Sequence, residues 1–201
     1  MHLRRMSASP PPFYFGAMSP YSWLAAERIE QVLPQARWRG VLAGVIFAAH
    51  GRTSWGLTER RTEGLADCEA RAEKYELGPI HWPPDWPTSD LLAARGMLVA
   101  QRRGLLRAFA LEAMRMAFRE GADLAERNVV LEAGRRVRIG ASELEDGLAD
   151  ADVKQALRDL NEEALAAGVF GVPTVVVAGE LFWGDDRLED AASAYRELAG
   201  A

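Results

Sequence analysis

Cysteine is nearly missing from this chain: its 201 residues include one, Cys68. A solitary thiol excludes an internal disulfide, a multi-cysteine metal cluster and a dithiol redox cycle. Histidine is almost as scarce. His2, His50 and His81 stand in the first residues and in two loop-like stretches, without ligand spacing to acids or to Cys68, so no metal is expected. Positive charge is also in deficit, with a formal net charge of −5, and the arginines alternate with acids as in Glu59-Arg60-Arg61-Thr62-Glu63. That pattern leaves no basic stripe and no expectation of nucleic acid. No apolar run approaches the roughly 20 residues that span a bilayer, so no membrane partner is expected. Met1 to Pro12 carries Arg4 and Arg5, then Ser, Ala and Pro10-Pro11-Pro12 in place of an apolar core, and so fails as a secretory signal. Residues 1–12 are expected to be a flexible tail, and the protein cytoplasmic. Glycine-rich phosphate loops are absent, which implies no nucleotide cofactor.

What remains is an ordinary folded composition, 49% hydrophobic and 26% charged, sufficient for one good core. Phe13-Tyr14-Phe15 reads as a strand. Pro20 to about Leu33 reads as a helix with Leu24, Ala25, Ile29, Val32 and Leu33 at helical spacing, stopped by Pro34. Arg37 to Leu42 reads as a second strand with an apolar tail reaching Phe47. A helix is expected around Leu65 to Tyr75, then the punctuated Gly78 to Pro87 loop. Helices follow at about Leu91–Arg103, Leu105–Glu120, Asp123–Ala133, Ser142–Leu148 and Asp152–Ala167, with breaks at Gly104, Gly121, Gly134, Gly140 and Gly168. The period then changes: Pro173 to Val177 and Leu181 to Trp183 flank the turn Ala178-Gly179-Glu180, and Asp185 to Leu198 closes the chain as a helix. The order β-α-β, helices, β-β-α is that of an α/β thioredoxin-like fold with an all-helical domain inserted in its middle. The expected division is 13–45 with 169–201 as the thioredoxin-like domain, and 46–168 as the insertion.

Ser19-Pro20-Tyr21-Ser22 places two hydroxyls where a thioredoxin-type protein carries two thiols. At a helix start, the positive helix end and unpaired N–H groups stabilise a thiolate. Serine stays protonated, but it can donate a hydrogen bond to a thiolate supplied by another molecule. Ser-Pro is also how very many helices begin, with or without a ligand. Val172-Pro173 precedes a strand. A proline there either exposes the Val172 backbone edge to a short extended peptide or simply starts the strand. Asp185 and Asp186 open the last helix, either as dipole-compatible caps or as partners for an ammonium group. Tyr21, Ser22 and Trp55 are candidate pocket residues, Trp82 equally a pocket wall or core cover, and Cys68 reads as a packed, inert thiol.

Three separated segments carry a resemblance: Phe13-Tyr14-Phe15 with Ser19-Pro20-Tyr21-Ser22-Trp23-Leu24-Ala25, Gly168 to Thr174, and Gly179-Glu180-Leu181-Phe182-Trp183-Gly184 with Asp186-Arg187. Together they resemble the 2-hydroxychromene-2-carboxylate isomerases and kappa-class glutathione transferases, within the disulfide-bond-protein-A-like group. The resemblance implies glutathione, or another low-molecular-weight thiol, as cofactor. Its cysteinyl backbone would pair with Val172 beside a cis Pro173, its thiolate would accept from Ser19, and its glutamyl end would lie near Asp185 and Asp186. It further implies an isomerase acting on a small unsaturated aromatic acid through a transient thiol adduct, and a homodimer. A glutathione transferase uses the same apparatus. A third reading is a non-catalytic binding protein on the same frame. Relatives commonly carry a lysine and then Gly-Asn and prolines where this chain has Ala48-Ala49-His50-Gly51-Arg52-Thr53-Ser54-Trp55, which makes Arg52 a candidate partner for an anionic carboxylate. Asp185 likewise stands where relatives carry a neutral serine or glutamine.

Overall fold

The computed structural model describes residues 9–200. Strand β1 (Pro12–Phe15) leads through a turn to helix α1 (Pro20–Val32), and β2 (Arg37–Gly40) returns parallel to β1 with Phe13 opposite Trp38 and Phe15 opposite Gly40. From the far end of the chain, β3 (Thr174–Val177) and β4 (Glu180–Trp183) form an antiparallel hairpin, and β3 pairs antiparallel with β1, Tyr14 opposite Thr174. The sheet order is therefore β2-β1-β3-β4, and both ends of the chain build it. Between β2 and β3 run α2 (Ala43–Ala49), α3 (Arg61–Lys74), α4 (Leu91–Arg102), α5 (Leu106–Glu120), α6 (Arg127–Arg136), α7 (Ala141–Ala149) and α8 (Ala151–Ala166). After β4, a 3-10 turn over Asp185–Arg187 runs into α9 (Leu188–Gly200). This is the expected thioredoxin-like α/β order.

Alternation along β1 sorts the core into two layers. Phe13 and Phe15 point to one face, where their rings meet Trp38 edge-on at 5.4 and 5.3 Å and pack with Trp23, Leu24 and Ile29 of α1 and with Leu188 and Ala191 of α9. Tyr14 points to the other, against Ile46 of α2 and Leu160 and Ala164 of α8. Its hydroxyl donates to Glu163 at 2.9 Å, and Arg39 pairs with the same carboxylate.

Several boundaries differ from the sequence expectations, for physical reasons. The stretch after Gly40 is not strand: Leu42 N–H donates to the buried Asn161 Oδ1 at 2.9 Å, which serves as the missing cap for α2 and turns the chain into a helix. The helix expected from Asp123 begins at Arg127, because Asp123 Oδ1 accepts from Ala125 N–H and Thr88 Oγ1 and holds residues 123–126 in a turn. It also runs through Gly134, which is buried because Leu144 packs onto its bare Cα. The last helix starts as a 3-10 turn. Of the expected tail, residues 1–8 lie outside the described residues, whereas Pro11 is buried, its carbonyl accepts from Arg37 N–H at 2.8 Å, and Pro12 opens β1.

The topology gathers four segments at one end of the sheet. The parallel register puts the exits of β1 and β2 together, and Val41 N–H donates to Phe15 O at 2.8 Å. The antiparallel register brings the residues before Thr174 beside the turn that follows Phe15. Gly184 N–H donates to Pro173 O at 3.0 Å, so the exit of β4 joins them. Ligand sites of open α/β sheets form at the carboxyl ends of parallel strands, and here that end also carries the N-termini of α1 and α2.

Asn161 is buried and also donates to Leu157 O at 2.8 Å. Asn161→Ala leaves the α2 N-terminus without its partner and is expected to destabilise the protein by about 1–3 kcal/mol. Urea denaturation followed by circular dichroism checks this; an unchanged midpoint would mean that α2 is held by other contacts.

Candidate functional site

Ser19 has the extended backbone of an N-cap, and its Oγ accepts from Ser22 N–H at 3.2 Å, with Pro20 as the first helical residue. Because that oxygen is acting as an acceptor, its own O–H remains a donor for something outside the helix. Ser19 is half-buried. Ser22 is not a pocket residue in this geometry. It is fully buried, and its Oγ accepts from Gly16 N–H at 3.2 Å, tying the helix back to the turn. Ser19 N–H also donates to Gly16 O at 3.2 Å, so residues 16–22 form one bonded unit.

Val172 is joined to Pro173 by a cis peptide bond. Among the described residues, neither the N–H nor the C=O of Val172 carries a hydrogen bond, although the residue is buried. An unpaired backbone edge at that place suits a short extended peptide. The two anchors implied by the resemblance, a hydroxyl on the β1 side and a peptide edge on the β3 side, therefore lie at one end of the sheet. They fit a thiol tripeptide in kind.

The two aspartates separate. Asp185 is 1% exposed, with Oδ1 accepting from Arg71 at 3.0 Å and Oδ2 from Tyr75 at 2.9 Å. Burial pushes its pKa above the ordinary value despite the opposing pull of Arg71 and Tyr75. Direct contact with an ammonium group is corrected for this residue: its carboxylate is already bonded inside the protein. Arg28 donates to the Asp185 carbonyl at 2.9 Å and lies 3.9 Å over the Tyr75 ring, so Asp185 locks α9's approach against α1 and α3. Asp186 is exposed and 3.3 Å from Arg71, which leaves a carboxylate and a guanidinium side by side at the surface.

The aromatic residues form a chain of rings. Tyr21 meets Trp55 at 6.0 Å, Trp55 meets Trp86 at 4.8 Å, and Trp86 meets Trp82 at 4.9 Å. Trp86 Nε1–H donates to Met18 O at 2.9 Å, placing this stack under the residue before Ser19. Trp82 lies at the far end, over Phe118 of α5 and bonded to Glu69, which makes it a cover for the core rather than a pocket wall. Tyr21 O–H donates to Asp67 at 2.8 Å, and burial drives its pKa up. Cys68 is fully buried beside it, and burial pushes its thiol up to about 12, which matches an inert thiol. Arg52, from the loop after α2, donates to Phe170 O, two residues before Val172.

Asp90 is the residue that sequence reasoning passed over. It directly precedes α4, where an aspartate signals an ordinary cap, yet its side chain makes no cap bond. The carboxylate instead lies under the Gly16–Met18 turn: a Cβ on Gly16 would stand 3.4 Å from Oδ2 and 3.0 Å from Ala43 Cβ. Burial raises its pKa to about 6 against the pull of backbone N–H groups of Asp90, Met18, Ala17 and Ala43, and Oδ2 has no hydrogen-bond partner. Among the described residues, no three His, Cys, Asp or Glu side chains are grouped to hold a metal, and no helix is long and apolar enough to cross a membrane.

Comparison with known proteins agrees with the fold. The family described as DSBA-like thioredoxin domain matches residues 12–196. The 2-hydroxychromene-2-carboxylate isomerase of Sphingobium xenophagum is 27% identical over 187 residues, covering 88% of this chain and 93% of that protein. The Glutathione S-transferase kappa 1 of Homo sapiens is 28% identical over 198 residues, covering 88% and 86%. The structure of a 2-hydroxychromene-2-carboxylate isomerase superposes with a TM-score of 0.79 at 21% identity, over 94% of this chain and 95% of that one, and shares the fold.

The raised pKa of Asp90 makes stability depend on pH in a definite direction. A carboxyl whose pKa is higher folded than unfolded contributes most below its unfolded value, about 3.9, and that contribution is lost as pH rises through about 6. Relative to Asp90→Asn, the wild type is expected to lose up to about 3 kcal/mol between pH 4 and pH 7. Paired denaturation curves across that range check it, and parallel curves for the two proteins would contradict it.

Proposed function

We propose, from the premise that the chain belongs to the DSBA-like thioredoxin domain family, that it is a thiol-dependent isomerase of the 2-hydroxychromene-2-carboxylate isomerase type, using glutathione and acting on an unsaturated aromatic acid. One observation carries the reading: the Ser19 hydroxyl, at the positive end of α1, accepts from Ser22 N–H and so keeps its proton to donate. Within this family frame, the two positions at the helix start hold oxygen, and the lone thiol of the chain, Cys68, is buried in α3 and pushed up to about 12. Thiol–disulfide exchange needs an accessible thiolate, which Cys68 does not offer, and this supports a reading in which the sulfur comes from a guest.

Glutathione supplies, when bound, a sulfur nucleophile that adds to a conjugated substrate, frees a carbon–carbon bond to rotate, and leaves again. The chain's own residues do the rest. Ser19 donates a charge-assisted hydrogen bond and the α1 N-terminus favours negative charge, and both lower the pKa of a thiol held there. The Val172 backbone edge beside Pro173 orients an extended peptide. Asp186 pairs with an ammonium, and Arg71 beside it offers a guanidinium to the neighbouring carboxylate of a zwitterion. Asp185 acts indirectly, by fixing Arg71. Tyr21 and Trp55 line the substrate side. Nothing in this sequence of steps is oxidised or reduced overall.

The same residues serve a transferase that releases its adduct, a reading favoured by the similarity to the kappa-class enzyme at equal coverage of this chain. Product analysis separates the two, since an isomerase returns free glutathione. The proposal includes a homodimer and a cytoplasmic setting.

Ser19→Ala removes the donor while leaving the helix. The thiol pKa of bound glutathione, read from thiolate absorbance, is expected to rise by about one unit or more, and turnover at neutral pH to fall about ten- to a hundredfold. A variant that binds glutathione with the same pKa and turns over at the same rate would remove Ser19 from the chemistry.

A further inference from the structure

Arg52 differs from the other arginines of the site region. Arg28 and Arg71 are each paired with carboxylates, as is Arg39 on the opposite face of the sheet. Among the described residues no carboxylate pairs with Arg52. Its guanidinium is nonetheless held. Arg52 N–H donates to Phe47 O at 2.9 Å, fixing the loop to the end of α2, and Gly51 takes the left-handed conformation that the reversal needs, φ +64°. The neighbouring His50 Nε2 lies 3.2 Å from Val169 O, which ties the loop to the segment leading into Pro173. One N–H of the guanidinium bonds Phe170 O. Its carbon lies 5.5 Å from the centre of the Phe170 ring and 5.9 Å from those of Phe47 and Trp183.

Aromatic faces around a guanidinium restrict its motion without using its donors. Arginine has five N–H donors in a planar fork, and one of them is engaged here. The rest match a carboxylate. The surrounding rings are also available: Trp183 is 47% exposed, its ring meets Phe170 at 5.0 Å, and its indole lies across Gly171, where any Cβ would collide with it. A large exposed indole held over a glycine beside an unpaired cation is a poor core device and a good platform for a flat anion.

The placement adds the final constraint. Thr53 and Ser54 connect Arg52 to Trp55, whose ring contacts Tyr21 two residues beyond Ser19. Three residues span at most about 11 Å. The segment 52–55 therefore bridges from Phe170, on the Pro173 side, to Tyr21, on the Ser19 side.

We propose that Arg52, with Phe170 and Trp183, forms a subsite for the carboxylate of a flat aromatic acid beside the Ser19 turn, and that this subsite selects acids over neutral aromatic electrophiles. The proposal rests on the thiol-isomerase reading for what the acid then undergoes, but its binding test does not require turnover.

Calorimetric titration of 2-naphthoate and the isosteric neutral 2-naphthamide, with and without saturating glutathione, reads the subsite directly. The acid is expected to bind the wild type about ten- to a hundredfold more tightly than the amide. Arg52→Gln should reduce the acid to the level of the amide and leave the amide unchanged, and Arg52→Lys should restore part of the difference. Trp183→Ala should weaken both ligands. Equal affinity for acid and amide, failure of the acid to bind in either condition, or an unchanged acid affinity in Arg52→Gln would overturn the proposal. A second arm compares glutathione with its glycyl monoethyl ester on wild type and Arg52→Gln. If the substitution weakens glutathione but neither its ester nor the naphthoate, the carboxylate served is the cofactor's own, and the assignment to the aromatic acid is wrong. Failure of the underlying thiol reading appears separately, as glutathione that does not bind the wild type while the naphthoate difference persists.

Discussion

The chemistry proposed for this protein depends on the bonded unit of residues 16–22. A helix N-terminus presents N–H groups that must be satisfied, and here an oxygen satisfies one of them while keeping its own proton. Sulfur in that place would itself become the anion. Oxygen, with a pKa far above neutrality, makes the same helix end a receiver for an anion that arrives from outside. The supports around it follow from the need to hold that hydroxyl still: Ser22 bonds back to Gly16, Trp86 bonds Met18 O, and Asp90 lies beneath the turn. Ser22 is part of the unit itself, whereas Trp86 and Asp90 both come from the segment that leads into α4, so the turn is held partly by its own sequence and partly by the fold.

Local chemistry was legible in the sequence and non-local chemistry was not. Ser19-Pro20 declared a helix start because capping is decided within four residues. The β-branched run before Gly179 declared the hairpin, and the order of elements then left one reasonable topology. Helix α2 was illegible because its cap is Asn161, 119 residues away. The burial of Asp185 was hidden for the same reason: Arg71, which holds its carboxylate, is 114 residues distant and lies on a helix whose sequence advertises only an i,i+4 pair with Asp67. Asp90 was masked by a plausible local role, since an aspartate before a helix reads as a cap. Gly134 read as a break, whereas its missing side chain makes room for Leu144.

The two aspartates at 185 and 186 show how the fold divides one sequence motif into a buried and an exposed carboxylate. Adjacent carboxylates at a helix start both complement the dipole, and sequence gives no reason to prefer either as a ligand. The fold separates them by exposure. Asp185 turns inward to Arg71 and Tyr75, joining α3 to the last helix, and this leaves Arg71 positioned against Asp186 at the surface. The inner residue thereby sets the geometry of the outer pair. A neutral side chain at 185 would release the guanidinium that gives the outer pair its second charge.

The distribution of charge follows from the same constraint. The protein as a whole is acidic, with a net charge of −5, yet the guests proposed for it, a thiolate with its glutamyl carboxylate and an aromatic acid, are all anions. Their attraction must be local. In the proposed site the α1 N-terminus, Arg71 and Arg52 are the groups that supply it, and the Debye length of about 8 Å at physiological salt confines each contribution to its immediate neighbourhood. A buried carboxylate under the Gly16–Met18 turn, Asp90, opposes that attraction when ionised. With a pKa near 6, Asp90 is charged over most of the range in which a thiolate exists, so the positive helix end works against a counter-field from below. In the proposed chemistry, thiolate stabilisation at Ser19 sets the helix end and the hydroxyl's hydrogen bond, which acts at contact distance, against the charge of Asp90.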